Sequence, residues 1–353
     1  MTRKDKRTLC LLGLLSIVSV FLFTTHVFGN RVDWYSQHVV IGDALRHAIR
    51  SEGTLFPTYI KELMSGGNIY HFSYYGYLRP DILIGALLIH IDMQTIIIAY
   101  SVLMMTLSVL CCYIFLRQHT KDENICIFVS LLVLLSSIFF HSHKQIMFVN
   151  YMPFLFLALI SIEKKNFLAF TLCGSLIVLH SYFYCIGCFI VCFIYFLYRH
   201  PGEWKKLFVS YILIVLLTAI LTIPTLLVIL GNGKSGASTQ LTSLFIPSLN
   251  LKGLLYSEYG CGLTYISYIL LVLALSDKQL QKLSAVCLVS FYSPFVWFIM
   301  NGFLYARSKI MLVFIPLVAY IMCMMFVKIK EGSIKISKYS LVLLIIPVFF
   351  IKY

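Results

Sequence analysis

Residues 95–116 read TIIIAYSVLMMTLSVLCCYIFL, a run without a single charged side chain. An α-helix rises about 1.5 Å per residue, so a run of this length covers the roughly 30 Å of a bilayer's hydrocarbon core. Strands that cross a membrane would instead be segments of about ten residues with alternating character. The run sets the reading of its neighbours. Comparable apolar stretches recur at residues 9–29, 125–140, 151–162, 167–180, 184–198, 207–230, 263–275, 283–300, 310–327 and 339–351. Together they make about eleven spans, several shorter than a bilayer and expected to tilt, to sit in thinned lipid or to be tucked inside the bundle. The expected fold is an all-α polytopic membrane protein with residues 1–353 forming one integral membrane domain.

Composition agrees with that class. Of 353 residues, 60% are hydrophobic and only 12% charged, with a mean hydropathy of +0.90; ordinary soluble domains carry about 25% charged residues. A soluble globular protein, a disordered chain and a disulfide scaffold are thereby excluded. The eleven cysteines lie mostly inside apolar runs, where Cys serves as a small hydrophobe. Cys185, Cys188 and Cys192 share a helix face and are read in that way rather than as metal ligands, and Cys261 has no evident external partner.

The net charge of +14 does not point to nucleic acid, because the basic residues sit mainly in short loops. Alternating the sides of the spans puts Arg3/Lys4/Lys6/Arg7, Arg117/Lys121, Lys164/Lys165, Arg199/Lys205/Lys206, Lys278/Lys282 and Lys328/Lys330/Lys335/Lys338 on one face. These are seventeen of the 28 Lys and Arg residues. The positive-inside rule makes that face cytoplasmic, with the N-terminus inside. The stretch 9–29 is longer than a signal-peptide core and lacks a small-x-small cleavage site, so it reads as a retained span. Two long polar stretches, 30–80 and 231–262, then lie outside. The first holds Arg31, Arg46, Arg50, Lys61 and Arg79 against the orientation rule, as an anionic ligand at the membrane surface would require.

The first outer stretch is the most informative. Val40, Ile41, Ala44, Leu45, Ala48 and Ile49 recur at helical spacing with Arg46, His47 and Arg50 between them, the pattern of a helix lying in the interface. Asp33 and Gln37 are four residues apart just before it, on one face if that turn is helical. A carboxylate so near a span end is either functional or a helix cap, and the spacing leaves both open. Gly66-Gly67-Asn68 allows a sharp turn, followed by Tyr70, Phe72, Tyr74, Tyr75 and Tyr77. These aromatics fit an interfacial belt, and beside Asn68 and Arg79 they equally fit a pocket for a sugar or a polyprenyl phosphate. Residues 81–91, after Pro80, are too few to span and read as a re-entrant or interfacial helix.

Later in the chain, Arg307 and Lys309 in NGFLYARSK stand at the outer entrance of a span, where Arg can hold a phosphate bidentately or simply snorkel to headgroups. His141-Ser142-His143 reads as a polar span end. Span interiors are almost free of charge, with Pro224 and Pro316 the expected internal breaks. A transporter or flippase of lipid-linked glycans, which would need charges or broken helices at mid-membrane, is the competing class; a non-catalytic assembly subunit is a third.

Asp33-Trp34-Tyr35-Ser36-Gln37, the amphipathic helix, Gly66-Gly67-Asn68, Tyr74-Tyr75 and Arg79-Pro80 together resemble the first external loop of the YfhO-type bacterial membrane proteins. Asn150-Tyr151-Met152-Pro153 and His180-Ser181-Tyr182-Phe183-Tyr184 follow in the same order, so the likeness covers about the first 200 residues. It departs from the family at Arg79, where a Ser commonly precedes the Pro, and in length, family members being typically longer. The resemblance implies a GT-C type glycosyltransferase in the bacterial cytoplasmic membrane. Such an enzyme moves a sugar from a polyprenyl-phosphate donor to a cell-surface glycan or teichoic-acid-like acceptor, and no other cofactor is implied. Asp33 matches the family's catalytic base. Arg31, Gln37, His38, Gly67, Asn68, Tyr74, Tyr75, Arg79, Tyr184 and Arg307 form the expected substrate-binding set, with no metal ligands among them.

Overall fold

The computed structural model describes residues 3–23, 31–61, 66–70, 72, 77–136, 150–231, 241–248, 264–334 and 338–345. Helix α1 (Arg3–Phe23) is followed by a π-helical segment (Arg31–Val39) that runs directly into α2 (Val40–Glu52). Gly53 ends α2 in the left-handed conformation at φ 64°, where glycine carries no Cβ penalty. A two-residue hairpin pairs β1 (Tyr59–Ile60) with β2 (Gly67–Asn68), Tyr59 opposite Asn68. Helix α3 (Pro80–Leu87) starts on its proline, whose missing N–H costs nothing in a first turn.

The bundle proper begins with α4 (Met93–Leu116), capped by Asp92 through the Thr95 amide at 3.2 Å, and α5 (Glu123–Leu134), capped by Asp122 through Ile125. Helices α6 (Met152–Glu163), α7 (Phe167–His180) and α8 (Tyr182–Arg199) follow, with Asn166 and Ser181 as side-chain caps of the last two. Then come α9 (Trp204–Leu217), α10 (Ala219–Gly231), α11 (Tyr265–Ala274), α12 (Gln281–Tyr292) and α13 (Pro294–Met300). A 3-10 turn over Ser308–Phe314 leads into α14 (Ile315–Lys330), and α15 (Lys338–Ile345) closes the described chain.

Among the described residues, three helical stretches are long and apolar enough to cross a membrane, Met93–Leu116, Tyr182–Arg199 and Ser308–Lys330, or five if each of two sharply bent pairs counts as one span. Four shorter apolar helices, α5, α6, α7 and α11, stand among them. The chain is an all-α integral membrane protein.

The bends amend the sequence reading. Residues 207–230 form two helices, α9 and α10, meeting at 77°. Pro224 acts one turn upstream: it offers no N–H to the Ile220 carbonyl and its ring crowds that group. The Thr218 hydroxyl meanwhile bonds back to Ile214 O at 2.8 Å, which favours a bend. Residues 283–300 are likewise two helices, α12 and α13, at 91°, broken at Ser293 because Pro294 follows it. Pro316 makes no break, since it falls in the first turn of α14. A second correction concerns Arg46, one of the five cations expected to serve an anionic ligand at the membrane surface. It is 5% exposed, donating from Nε to Asp43 Oδ1 at 2.7 Å and from Nη1 to Ile91 O at 2.6 Å.

Helix α4 packs against α1, α3, α5, α6 and α14. Lipid gives apolar helices little reason to associate, so close approach of small residues matters: a Cβ on Gly187 of α8 would lie 3.2 Å from Ile310 Cδ1 and 3.3 Å from Met300 Cε.

Ion pairs tie the helices at one end, and that end collects the basic clusters that sequence alternation assigned to a common face. Arg117 at the foot of α4 bonds Asp5 at 3.0 Å, and Lys4 bonds Glu123 at 2.6 Å. Lys330 reaches Asp122, Lys328 reaches Asp277 and Arg199 reaches Glu163, while Lys165 and Lys206 share Glu203. The two lysines hold the Glu203 carboxyl down to about 2. Between these pairs His119 stands edge-on to Tyr320, and burial pushes its imidazole down to about 4, so it is neutral near pH 7. We call this the basic end.

Candidate functional site

The opposite end is built differently. Arg79 precedes a proline and is therefore extended, at ψ 134°, which turns its side chain back along α3. Its Nε donates to Asp81 Oδ1 at 2.6 Å, and that oxygen also accepts from the Ile82 amide at 3.1 Å. Arg79 is 1% and Asp81 0% exposed, and Asp81 Oδ2 has no hydrogen-bond partner among the described residues. Helix α2 holds α3 in place through Arg46 and Ile91. Their contact is close because Gly85 leaves room: a Cβ there would meet Met93 Sδ at 2.7 Å and Arg46 Cδ at 3.2 Å.

Below this pair lies a step in the bundle. Helix α4 has 24 residues, about 36 Å at the helical rise, whereas α6 has 12 and α7 has 14, about 18 and 21 Å. Starting level with α4 at the basic end, the two short helices stop well below its far end. His180 at the tip of α7 therefore meets α4 at Tyr100, two turns inside its start. Tyr100 Oη and His180 Nε2 are 2.6 Å apart, and His180 Nδ1 is 2.6 Å from the Leu176 carbonyl. A carbonyl only accepts, so Nδ1 carries a proton, and the Tyr100 hydroxyl, able to donate or accept, pairs with Nε2. The Arg79–Asp81 pair opens α3, which packs against α4, the helix that carries Tyr100.

Aromatic contacts extend the step sideways. His180 lies 4.7 Å from the Phe154 ring, one turn from Asn150. Tyr151 stacks on Tyr184 at 5.1 Å, and Phe183 stacks on Tyr305 at 6.0 Å. Arg307 lies over Tyr305 at 5.4 Å and Lys309 over Phe183 at 4.2 Å, distances at which a cation is attracted to a ring face. No carboxylate pairs with the exposed Arg307 among the described residues. Asn150 and Tyr151 are 0% exposed, and neither the Asn150 amide nor the Tyr151 hydroxyl has a hydrogen-bond partner there. An apolar cavity of about 540 Å³ adjoins the α12–α13 bend, lined by Tyr268, Val272, Leu288, Tyr292, Pro294 and Phe295 among others.

Of the residues expected from sequence, Arg79, Tyr184 and Arg307 come to this end of the bundle. Arg79 arrives as the buried partner of a carboxylate, not as an open phosphate ligand. Gln37 is half-buried and His38 buried in the π-helical segment. Asp33 is the third residue of that segment, inside a helix rather than at a cap position; its side chain and that of Arg31 lie outside the described residues, as do Tyr74, Tyr75, His141 to His143 and Cys261. Gly67 and Asn68 sit in the hairpin, where Asn68 Oδ1 accepts from the Tyr70 amide at 2.9 Å. The turn depends on Gly66, at φ 94°, where a Cβ would fall 1.8 Å from Tyr59 Oη.

Asp81, Tyr100 and Asn150 went unread as site residues. A charge opening an otherwise apolar helix was the available signal for Asp81; Tyr100, within a span, offered none. Among the described residues no group of three His, Cys, Asp or Glu side chains could hold a metal ion. No protein-family model, curated protein or solved structure matches the chain.

Proposed function

We propose that this chain is a GT-C type membrane glycosyltransferase of the YfhO kind, with about eleven spans counting the short and bent helices. Its donor is a polyprenyl-phosphate sugar and its acceptor an extracytoplasmic glycan. The basic end faces the cytoplasm, and the step, Arg307 and the loop 30–80 face outward. The observation that carries this reading is the contrast in charge between the ends. At the basic end the clusters are tied to carboxylates, whereas at the far end Arg307 rests on an aromatic ring without a carboxylate partner among the described residues. That contrast suits a lipid with an anionic head.

In an inverting transfer a base removes the proton of the acceptor hydroxyl as its oxygen bonds to the sugar's anomeric carbon. The carbon–oxygen bond to phosphate breaks, and polyprenyl phosphate leaves with the electron pair. Asp33 is the base by resemblance. Arg307 and Lys309 stabilise the phosphate, and Arg79 instead fixes Asp81. Reconstituting the purified chain with labelled polyprenyl-phosphate sugars and a cell-wall acceptor tests this: transfer by wild type and none by Asp33→Asn is expected, and no transfer with any donor would remove the reading.

The two bent pairs favour a second reading, since broken helices are how many transporters build a mid-membrane site. Movement of a lipid-linked glycan between leaflets without transfer would support that one.

A further inference from the structure

We infer that the step formed by Asp81, His180, Tyr100, Asn150 and Tyr151 is a binding site for an uncharged, hydroxyl-rich ring, and that it holds the sugar of the lipid donor while Arg307 holds the phosphate. This rests on the reading given above.

The first support is the set of buried polar atoms left open. Asp81 Oδ2, both ends of the Asn150 amide and the Tyr151 hydroxyl are buried with no hydrogen-bond partner. Nearly all buried polar groups in folded proteins are satisfied, so two successive residues, Asn150 and Tyr151, left open together call for a partner. The open set contains an acceptor at Asp81, an acceptor and a donor at Asn150, and a hydroxyl at Tyr151. A sugar hydroxyl, which gives one proton and accepts another, matches that mixture.

Charge then narrows the guest. Asp81 is neutralised by Arg79 Nε at 2.6 Å. Both nitrogens of His180 are already engaged, Nδ1 with the Leu176 carbonyl and Nε2 with the Tyr100 hydroxyl. A cation would find its carboxylate already matched by a guanidinium. An anion would face the open carboxylate oxygen. A neutral polyol meets neither objection.

The site also lies at the right place. Direct ring contacts connect His180 through Phe154 to the turn carrying Asn150 and Tyr151, then through Tyr184 and Phe183 to Tyr305 and Arg307. An unbroken run of aromatic faces therefore leads from the turn with the open polar groups to the cation, a surface on which a lipid-linked sugar can lie.

The test is equilibrium binding to the full chain in lipid nanodiscs. The probes are polyprenyl phosphate carrying glucose, galactose or N-acetylglucosamine, each compared with bare polyprenyl phosphate. Wild type is expected to prefer one sugar-bearing lipid over the bare lipid by about tenfold, the effect of one or two net hydrogen bonds. Asn150→Leu should reduce that preference to within about twofold, leave affinity for the bare lipid unchanged and raise the melting temperature, because it removes two open polar groups at similar volume. Tyr151→Phe, which deletes only a hydroxyl, repeats the comparison should the leucine variant fold poorly. Retention of the sugar preference in both variants, or equal binding of bare and sugar-bearing lipids by wild type, overturns the site and leaves the lipid-phosphate reading standing. Failure of wild type to bind any of these lipids overturns both.

Discussion

Glu163, the last residue of α6, receives two hydrogen bonds from Arg199, the last residue of α8: Nε to Oε1 at 2.6 Å and Nη2 to Oε2 at 2.9 Å. Tyr195 donates to the same carboxylate. Burial alone would raise the Glu163 carboxyl, but the Arg199 and Tyr195 bonds outweigh it and hold it below its ordinary value. The pair therefore contributes stability that is complete above the unfolded-state value of about 4.3 and is lost as pH falls through the lower folded-state value. Glu163→Gln should destabilise by about 1–3 kcal/mol, a partly exposed pair costing less than a fully buried one. Thermal unfolding in detergent between pH 3 and 7 checks this: the wild-type advantage should shrink on acidification, and a constant gap would show that the charge is not involved.

Orientation is open to chemical labelling. Single cysteines at Ser51, exposed at the end of α2, and at Ser333, exposed beyond α14, belong to opposite ends of the bundle. In a background without other reactive thiols, an impermeant reagent applied to intact cells should modify the cysteine at position 51 and spare the one at 333. The reverse pattern would turn the molecule over.

Asp33→Asn should abolish transfer at unchanged membrane abundance, because the amide keeps the shape of the carboxylate but takes no proton. Wild-type turnover by this variant would remove Asp33 as the base and direct attention to Asp81.

Arg79 and Arg307, alike in sequence terms, should behave differently. Removing Arg307 costs a charge-assisted bond of about 1.5–3 kcal/mol, roughly 10- to 150-fold in donor affinity or rate, with partial rescue by Lys. Arg79→Ala leaves Asp81 buried without its cation and should lower stability by about 3–5 kcal/mol. Donor titrations beside melting curves separate the two effects; a stable Arg79→Ala protein with weakened donor dependence would return Arg79 to the phosphate.

Much of the fold was legible in the sequence because apolar run length and loop charge are one-dimensional signals. The runs over α4, α8 and α14 and the pairing of basic clusters at one end follow from them. The depth of the step was not legible. Residues 151–162 and 167–180 showed that α6 and α7 would be short, but not that His180 would meet Tyr100 inside α4 or that Asn150 would be buried with an open amide. Arg46 and Arg79 were misjudged for a related reason: charge count does not reveal that Asp43 and Asp81, three and two residues away, neutralise them in a buried setting. Pro294 was overlooked because the residues around it are apolar enough to conceal the bend.

Among the described residues, every ion pair that joins two different helices of the bundle lies at the basic end; Arg46 with Asp43 and Arg79 with Asp81 are local pairs. The molecule is braced like a sheaf tied at its base. Spreading the helix tips by a few ångströms at the far end separates aromatic faces, apolar side chains and the Tyr100–His180 hydrogen bond but breaks no interhelical charge pair among the described residues, so the compliant direction of the bundle points toward the side where a bulky lipid would have to be admitted and released.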